Sequence, residues 1–97
     1  MPTATLNGTV IAEAPESDVL HIEGNVYFPP SSVKSAFLTT SPTPYTCPWK
    51  GECQYYTVDG LQDRAWAYPT PFPTAIERVG KDFSGYVAFW KEIDVTE

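Results

Sequence analysis

Apolar and polar residues alternate over short runs in this chain, and Gly, Asn, Asp and Pro interrupt the runs every few positions. A period of two marks half-buried strands, and the interruptions mark the turns between them. Leu6 to Ala14 reads as a first strand, entered through Asn7-Gly8. Val19 to Ile22 reads as a second. Glu23-Gly24-Asn25 is a tight turn, because Gly and Asn tolerate positive φ, and Val26-Tyr27-Phe28 returns as the other arm of a hairpin. Pro29-Pro30 stops that strand. Ser31 or Ser32 then caps a short helix predicted to run to about Leu38, with Val33, Ala36 and Phe37 on one face.

Pro42 and Pro44 lack N–H donors, so Thr39 to Pro44 is predicted to be a rigid connector outside any regular ladder. Tyr45 to Trp49 is extended, Lys50-Gly51 turns, Cys53 to Val58 is a strand, and Asp59-Gly60 is the next turn. Ala65 to Tyr68 is a strand closed by Pro69, Pro71 and Pro73, and Thr74 to Gly80 is a single helical turn. Gly85 to Ile93 is the last strand, with Tyr86, Ala88 and Trp90 on one face and Val87, Phe89 and Lys91 on the other. The expected object is one domain, residues 1–97, mainly antiparallel β with one short helix.

Composition narrows the function. Ten prolines and six glycines, spread along the chain, suit short strands and argue against a helical bundle. The formal net charge is −6, and the six basic residues (Lys34, Lys50, Arg64, Arg78, Lys81, Lys91) are scattered. A nucleic-acid binder clusters its Lys and Arg on phosphates, so neither nucleic acid nor an anionic membrane surface is an expected partner. No apolar run approaches the roughly 20 residues of a membrane span. The N-terminal residues lack the basic and apolar blocks of a signal peptide, so the expected compartment is the cytoplasm. Thiols are reduced there by default, and a local Cys47–Cys53 disulfide is the less favoured alternative. A structural zinc takes four Cys or His ligands, and this chain has two Cys and one His, so no metal is expected. No phosphate-cradling glycine loop is present either, and no cofactor is expected.

Candidate chemistry concentrates in Thr46-Cys47-Pro48-Trp49-Lys50-Gly51. Cys47 reads either as a small buried hydrophobe or as a reactive or ligand-contacting thiol. The ammonium of Lys50, three residues on, favours the thiolate. Lys50 is a solvated turn residue or, beside Trp49 and Tyr45, a lone cation facing an anionic or carbonyl-bearing ligand. Gly51 permits close approach of backbone to a ligand. Alternation puts Arg64, Trp66 and Tyr68 on one face, where they form one wall of a cleft. Tyr55 and Phe89 read as core aromatics. His21, between Leu20 and Ile22, is an ordinary strand histidine with no triad partner visible by spacing.

Glu23-Gly24-Asn25-Val26-Tyr27-Phe28-Pro29, then Thr46 to Gly51, Tyr55-Tyr56, Ala65-Trp66-Ala67-Tyr68-Pro69 and Val87-Ala88-Phe89-Trp90 follow one another in a recognisable order. In that order the chain resembles the domain-of-unknown-function 427 family, which carries a nucleotidyltransferase-like label. The resemblance implies a β-tent-like antiparallel sheet or open barrel, akin to small domains such as methionine-R-sulfoxide reductases. Its motif positions here are Cys47, Lys50, Gly51, Tyr55, Trp66 and Tyr68, and Cys53 stands where the family pattern has a small residue. Nucleotidyl transfer finds neither a phosphate loop nor a metal-spaced aspartate pair in this chain. β-Tent relatives that bind zinc use two Cys pairs, absent here, so neither zinc nor sulfoxide chemistry carries over.

The expected function is a small-molecule binding domain. Its cleft is drawn from Cys47, Trp49, Lys50, Gly51, Tyr55, Arg64, Trp66 and Tyr68. The alternatives are an enzyme that uses Cys47 or Lys50 as nucleophile or acid/base, and a protein-interaction module with a flat aromatic face.

Overall fold

The computed structural model describes residues 1–97. Nine strands and one α-helix follow in the order β1 (Thr3–Leu6), β2 (Thr9–Glu13), β3 (Leu20–Ile22), β4 (Asn25–Tyr27), β5 (Leu38–Cys47), β6 (Gly51–Val58), β7 (Leu61–Ala67), α1 (Pro73–Val79), β8 (Val87–Phe89) and β9 (Asp94–Thr96). All strand pairs are antiparallel. The sheets run β2-β1-β9, β3-β4 and β5-β6-β7-β8, and they stay open, not closed into a barrel.

Tight turns set the register. Glu23 and Gly24 have φ of 53° and 80°, and Asp59 and Gly60 have 47° and 82°. Two successive positive φ values match the twist of a two-residue hairpin. They pair Ile22 with Asn25 and Val58 with Leu61. Asn7 and Gly8 make a third turn of this kind inside the segment Leu6 to Ala14, so that segment is the far half of the β1–β2 hairpin and not a single strand.

Three other expectations are corrected. The segment Ser31 to Leu38 forms two 3-10 turns, Pro30–Ser32 and Ser35–Phe37, instead of a helix. Between them Val33 bridges Ala12, and the Lys34 N–H donates to Ile11 O at 2.8 Å, so tertiary pairing draws the chain out of helical geometry. The α-helix is α1. Pro73 opens it where no N–H partner is needed, and Gly80 closes it in the left-handed conformation. The Thr39–Pro44 segment lies within β5, at the sheet edge, where missing proline N–H donors are tolerated, and the ladder is interrupted between Thr40 and Pro44. The last regular strand is β9, which pairs with β1, while β8 is only Val87–Phe89.

Both faces of the four-stranded sheet are covered. Val58, Ala65, Ala67, Val87 and Phe89 face a first apolar cluster with Ala4, Leu6, Ile11 and Ala12 from β1 and β2. The alternate residues Cys47, Trp66, Tyr68 and Ala88 face a second cluster with Ile22, Tyr27, Ala75 and Phe83. Phe28 and Val87 exchange backbone hydrogen bonds of 2.8 and 2.9 Å, which sets β4 beside β8. Tyr27 is thereby delivered to the face that carries Trp66.

Candidate functional site

On that second face, small and large side chains oppose each other. Tyr55 pairs with Trp66 across β6–β7, and Trp66 pairs with Ala88 across β7–β8. Beside these rings lies a hollow of about 190 Å³, walled by Tyr27, Tyr45, Tyr55, Trp66, Tyr68 and Trp90, with Asn25 and Lys50 supplying the remaining polar groups. The Trp66 Nε1–H donates to Tyr27 Oη at 3.0 Å, and the Trp90 Nε1–H to Asp63 O at 2.6 Å. The Trp66 ring meets Tyr27 edge-on at 6.3 Å and Trp90 at 5.3 Å. Phe83, fully buried, braces Tyr27 and Tyr68 from behind at 6.5 and 6.2 Å. The walls are therefore fixed by packing and by directed hydrogen bonds.

Lys50 follows the β5 end at Cys47 and precedes the first residue of β6. Its side chain is only 7% exposed, yet it borders the hollow. The ammonium lies 4.8 Å from the Trp49 ring centroid and 5.3 Å from that of Tyr68. It donates to Glu23 Oε1, a residue of the β3–β4 turn whose side chain is 54% exposed. The Lys50 hydrogen bond, opposed by partial desolvation, holds the Glu23 carboxyl below its usual range; the Lys50 charge, the Trp49 indole and Arg78 add to the effect. The Arg78 guanidinium sits 4.4 Å over Trp49.

Burial pushes the Tyr27 phenol up to about 12, against the opposing hydrogen bond from Trp66, and pushes Tyr68 well above the tyrosine range. Tyr55 is raised as well, chiefly by desolvation. These phenols stay protonated at neutral pH, and the Tyr27 hydroxyl, which accepts from Trp66, keeps its proton to donate. The hollow thus combines flat apolar walls with hydrogen-bond donors and a single ammonium.

A larger groove of about 560 Å³ runs along Pro69–Pro73, with Thr46, Glu52, Cys53 and Gln54 opposite. It lacks the convergence of aromatic and donor groups seen around Lys50, and volume alone does not make a site. Glu16, His21 and Glu97 place ligand-type atoms within 4.8 Å of one another. All three are exposed, and the histidine already pairs with Glu16 at 2.6 Å and Glu97 at 3.5 Å. No helix is long and apolar enough to cross a membrane.

Residues 3–97 match the family described as Domain of unknown function (DUF427). The chain belongs to that family. None of the curated proteins matches it.

In this DUF427 domain, the motif residues separate into those at the hollow and those beside it. Lys50, Tyr55, Trp66 and Tyr68 line it, and Trp49 flanks the Lys50 ammonium. Cys47 is 4% exposed, packed in the second cluster and off the hollow. Gly51 has φ of 116°, but the backbone it admits is the protein's own: a Cβ there would sit 3.5 Å from Thr70 O and Phe72 N. The Phe72 N–H donates to Lys50 O at 3.0 Å, so this contact clamps the turn that carries Lys50. Arg64 turns away to Glu92, with contacts of 2.5 and 3.0 Å, and the guanidinium holds that carboxyl down to about 2.

Both cysteines are free thiols. Burial, then the nearby Cys47, raises the Cys53 thiol to about 11. Asn25, Tyr27, Tyr45 and Trp90 line the hollow without having been singled out from sequence as site residues, and Glu23 is the partner that the sequence hides. The alternation of β4 carried the signal for Asn25 and Tyr27. What was missing was the long-range Phe28–Val87 pairing that turns this face towards Trp66.

Proposed function

We propose that this domain binds a small planar molecule, which stacks between the aromatic walls and is anchored by Lys50. One observation carries the reading: a lysine side chain 7% exposed is kept at the edge of a hollow otherwise walled by tyrosine and tryptophan. A buried ammonium is expensive to desolvate, and a fold that needed only stability would place a hydrocarbon there. The position of Cys47 outside the hollow weighs against a thiol nucleophile and leaves Lys50 as the reactive group of the enzymatic alternative. A recess, not a flat aromatic patch, favours a small ligand over a partner protein. The scattered basic residues speak against nucleic acid, and two unbridged thiols suit a reducing compartment such as the cytoplasm.

A thermal-shift screen of metabolites tests the proposal. A true ligand raises the melting temperature of the wild type, and the rise disappears in Lys50→Met and in Trp90→Ala. Trp90 is 39% exposed, so its removal spares the core. A ligand whose effect survives in both variants binds elsewhere and defeats the reading.

A further inference from the structure

We infer that the ligand of this cleft is a small planar carboxylate, and that it competes for the Lys50 ammonium with Glu23, which engages that ammonium from outside the hollow. This rests on the cleft being the binding site. The ion pair is lopsided. Its cationic half is built into the fold, 7% exposed and clamped by the Phe72–Lys50 backbone contact. Its anionic half arrives from solvent, on a side chain 54% exposed at the tip of a two-residue turn. Glu23 moreover holds a φ of 53°, a left-handed conformation in which Asn or Gly is the usual choice. A carboxylate is thus found where turn chemistry alone does not ask for one.

The surroundings are made for that carboxylate. Lys50 donates to it, and the Trp49 indole and the Arg78 charge favour its ionised form. These groups come from the β5–β6 turn and from α1, two separate parts of the chain. Lys50 carries the only formal charge among the residues lining the hollow, and no acidic side chain lines it. The Tyr27 hydroxyl and the Asn25 amide add donors on the same side as β4. A carboxylate is an acceptor-only group that matches such a donor set.

Size limits the rest of the molecule. A cavity of about 150 Å³ accepts a benzene ring. A hollow of about 190 Å³, open to solvent on one side, seats one ring with its carboxylate. In the free protein, Glu23 is an intramolecular competitor, so apparent affinity is lowered by the fraction of molecules in which Lys50 is engaged.

Calorimetric titration with benzoate and with its neutral isostere benzamide provides the test, on wild type, Glu23→Gln and Lys50→Met. Benzoate is expected to bind Glu23→Gln about tenfold more tightly than wild type, as removal of a competitor requires. Benzamide should bind the two equally, and Lys50→Met should lose benzoate while retaining benzamide. The wild type alone supplies a second readout: the Glu23 side-chain carboxyl ¹³C signal should move on saturation with benzoate and stay still with benzamide. Equal binding of both compounds by all three proteins, weaker benzoate binding in Glu23→Gln, or a stationary Glu23 signal at benzoate saturation overturns the inference and leaves the cleft standing. Failure of both compounds to bind any of the proteins removes the carboxylate inference; if the metabolite screen is also empty, the cleft reading goes with it.

Discussion

Lys50 and Glu23 form one ion pair, yet removing either partner should have very different consequences. Breaking a fully buried pair costs about 3–5 kcal/mol, most of it the charge left behind without a partner. Glu23→Gln leaves the Lys50 ammonium at 7% exposure, facing the Trp49 and Tyr68 rings at 4.8 and 5.3 Å. Each ring contact returns about 0.5–1 kcal/mol, and the solvated Glu23 end of the pair was weakly coupled to begin with, so the net loss is about 2 kcal/mol. Lys50→Met removes the ammonium together with its desolvation penalty and keeps most of the apolar stem, while Glu23, already half in water, simply rehydrates. Its stability should lie within about 1 kcal/mol of wild type, on either side. For a domain of this size, about 1 kcal/mol moves the midpoint by 4–8 °C, so Glu23→Gln should melt about 8–16 °C below wild type and Lys50→Met close to it. Urea denaturation at pH 7 with a shared m-value measures both. If Lys50→Met is destabilised as much as Glu23→Gln, the lysine is structural, and the argument that stability is given up for a ligand fails.

Other consequences follow from the same face. Phe83→Ala removes the fully buried ring behind Tyr27 and Tyr68 and should cost about 3–5 kcal/mol; a loss under about 1 kcal/mol in chemical denaturation would mean that the walls are braced by something else. Tyr27→Phe strands the Trp66 indole N–H and should cost about 1–3 kcal/mol, and a double-mutant cycle with Trp66→Phe should recover part of that loss; additive costs would deny the bond. Tyr27 and Cys53 titrate higher in the folded protein, at about 12 and about 11 against ordinary values of 10.0 and 9.0. The unfolded chain therefore releases these protons first, so stability is fully present below about pH 9 and falls as pH rises towards 12. Unfolding midpoints that stay level across that alkaline range would contradict the burial of these groups.

The sequence exposed what is local. Glu23-Gly24 and Asp59-Gly60 were readable as turns because few backbone shapes accept positive φ at successive positions, and the strands beside them followed from alternation. The same alternation put Trp66 and Tyr68 on one face. Arg64 shares the parity of Trp66, but its charge finds Glu92, which no spacing rule predicts. Long-range events escaped. Val33 and Lys34 are pulled into extended pairing by Ala12 and Ile11, which overrides the weak helical preference of Ser31 to Leu38. β9 is a three-residue segment, Asp94–Thr96, too short and too polar to announce itself, and it forms because β1 offers an edge. Glu23 looked like a turn residue and nothing more, because its partner lies 27 positions away. Lys50 was legible as a candidate from its aromatic neighbours. Its burial was not, since the groups around its ammonium include Tyr68 and Glu23, both distant in sequence.

The indole N–H signals of the three tryptophans report the site most directly. In two-dimensional NMR spectra, titration with benzoate and with benzamide should shift the Trp66 and Trp90 indoles to saturation in the millimolar range appropriate to so few ligand atoms. In Lys50→Met the benzoate response should vanish. Indole signals that stay fixed with both compounds, or a benzoate response undiminished without the Lys50 ammonium, would contradict a ligand site built from this lysine and these rings.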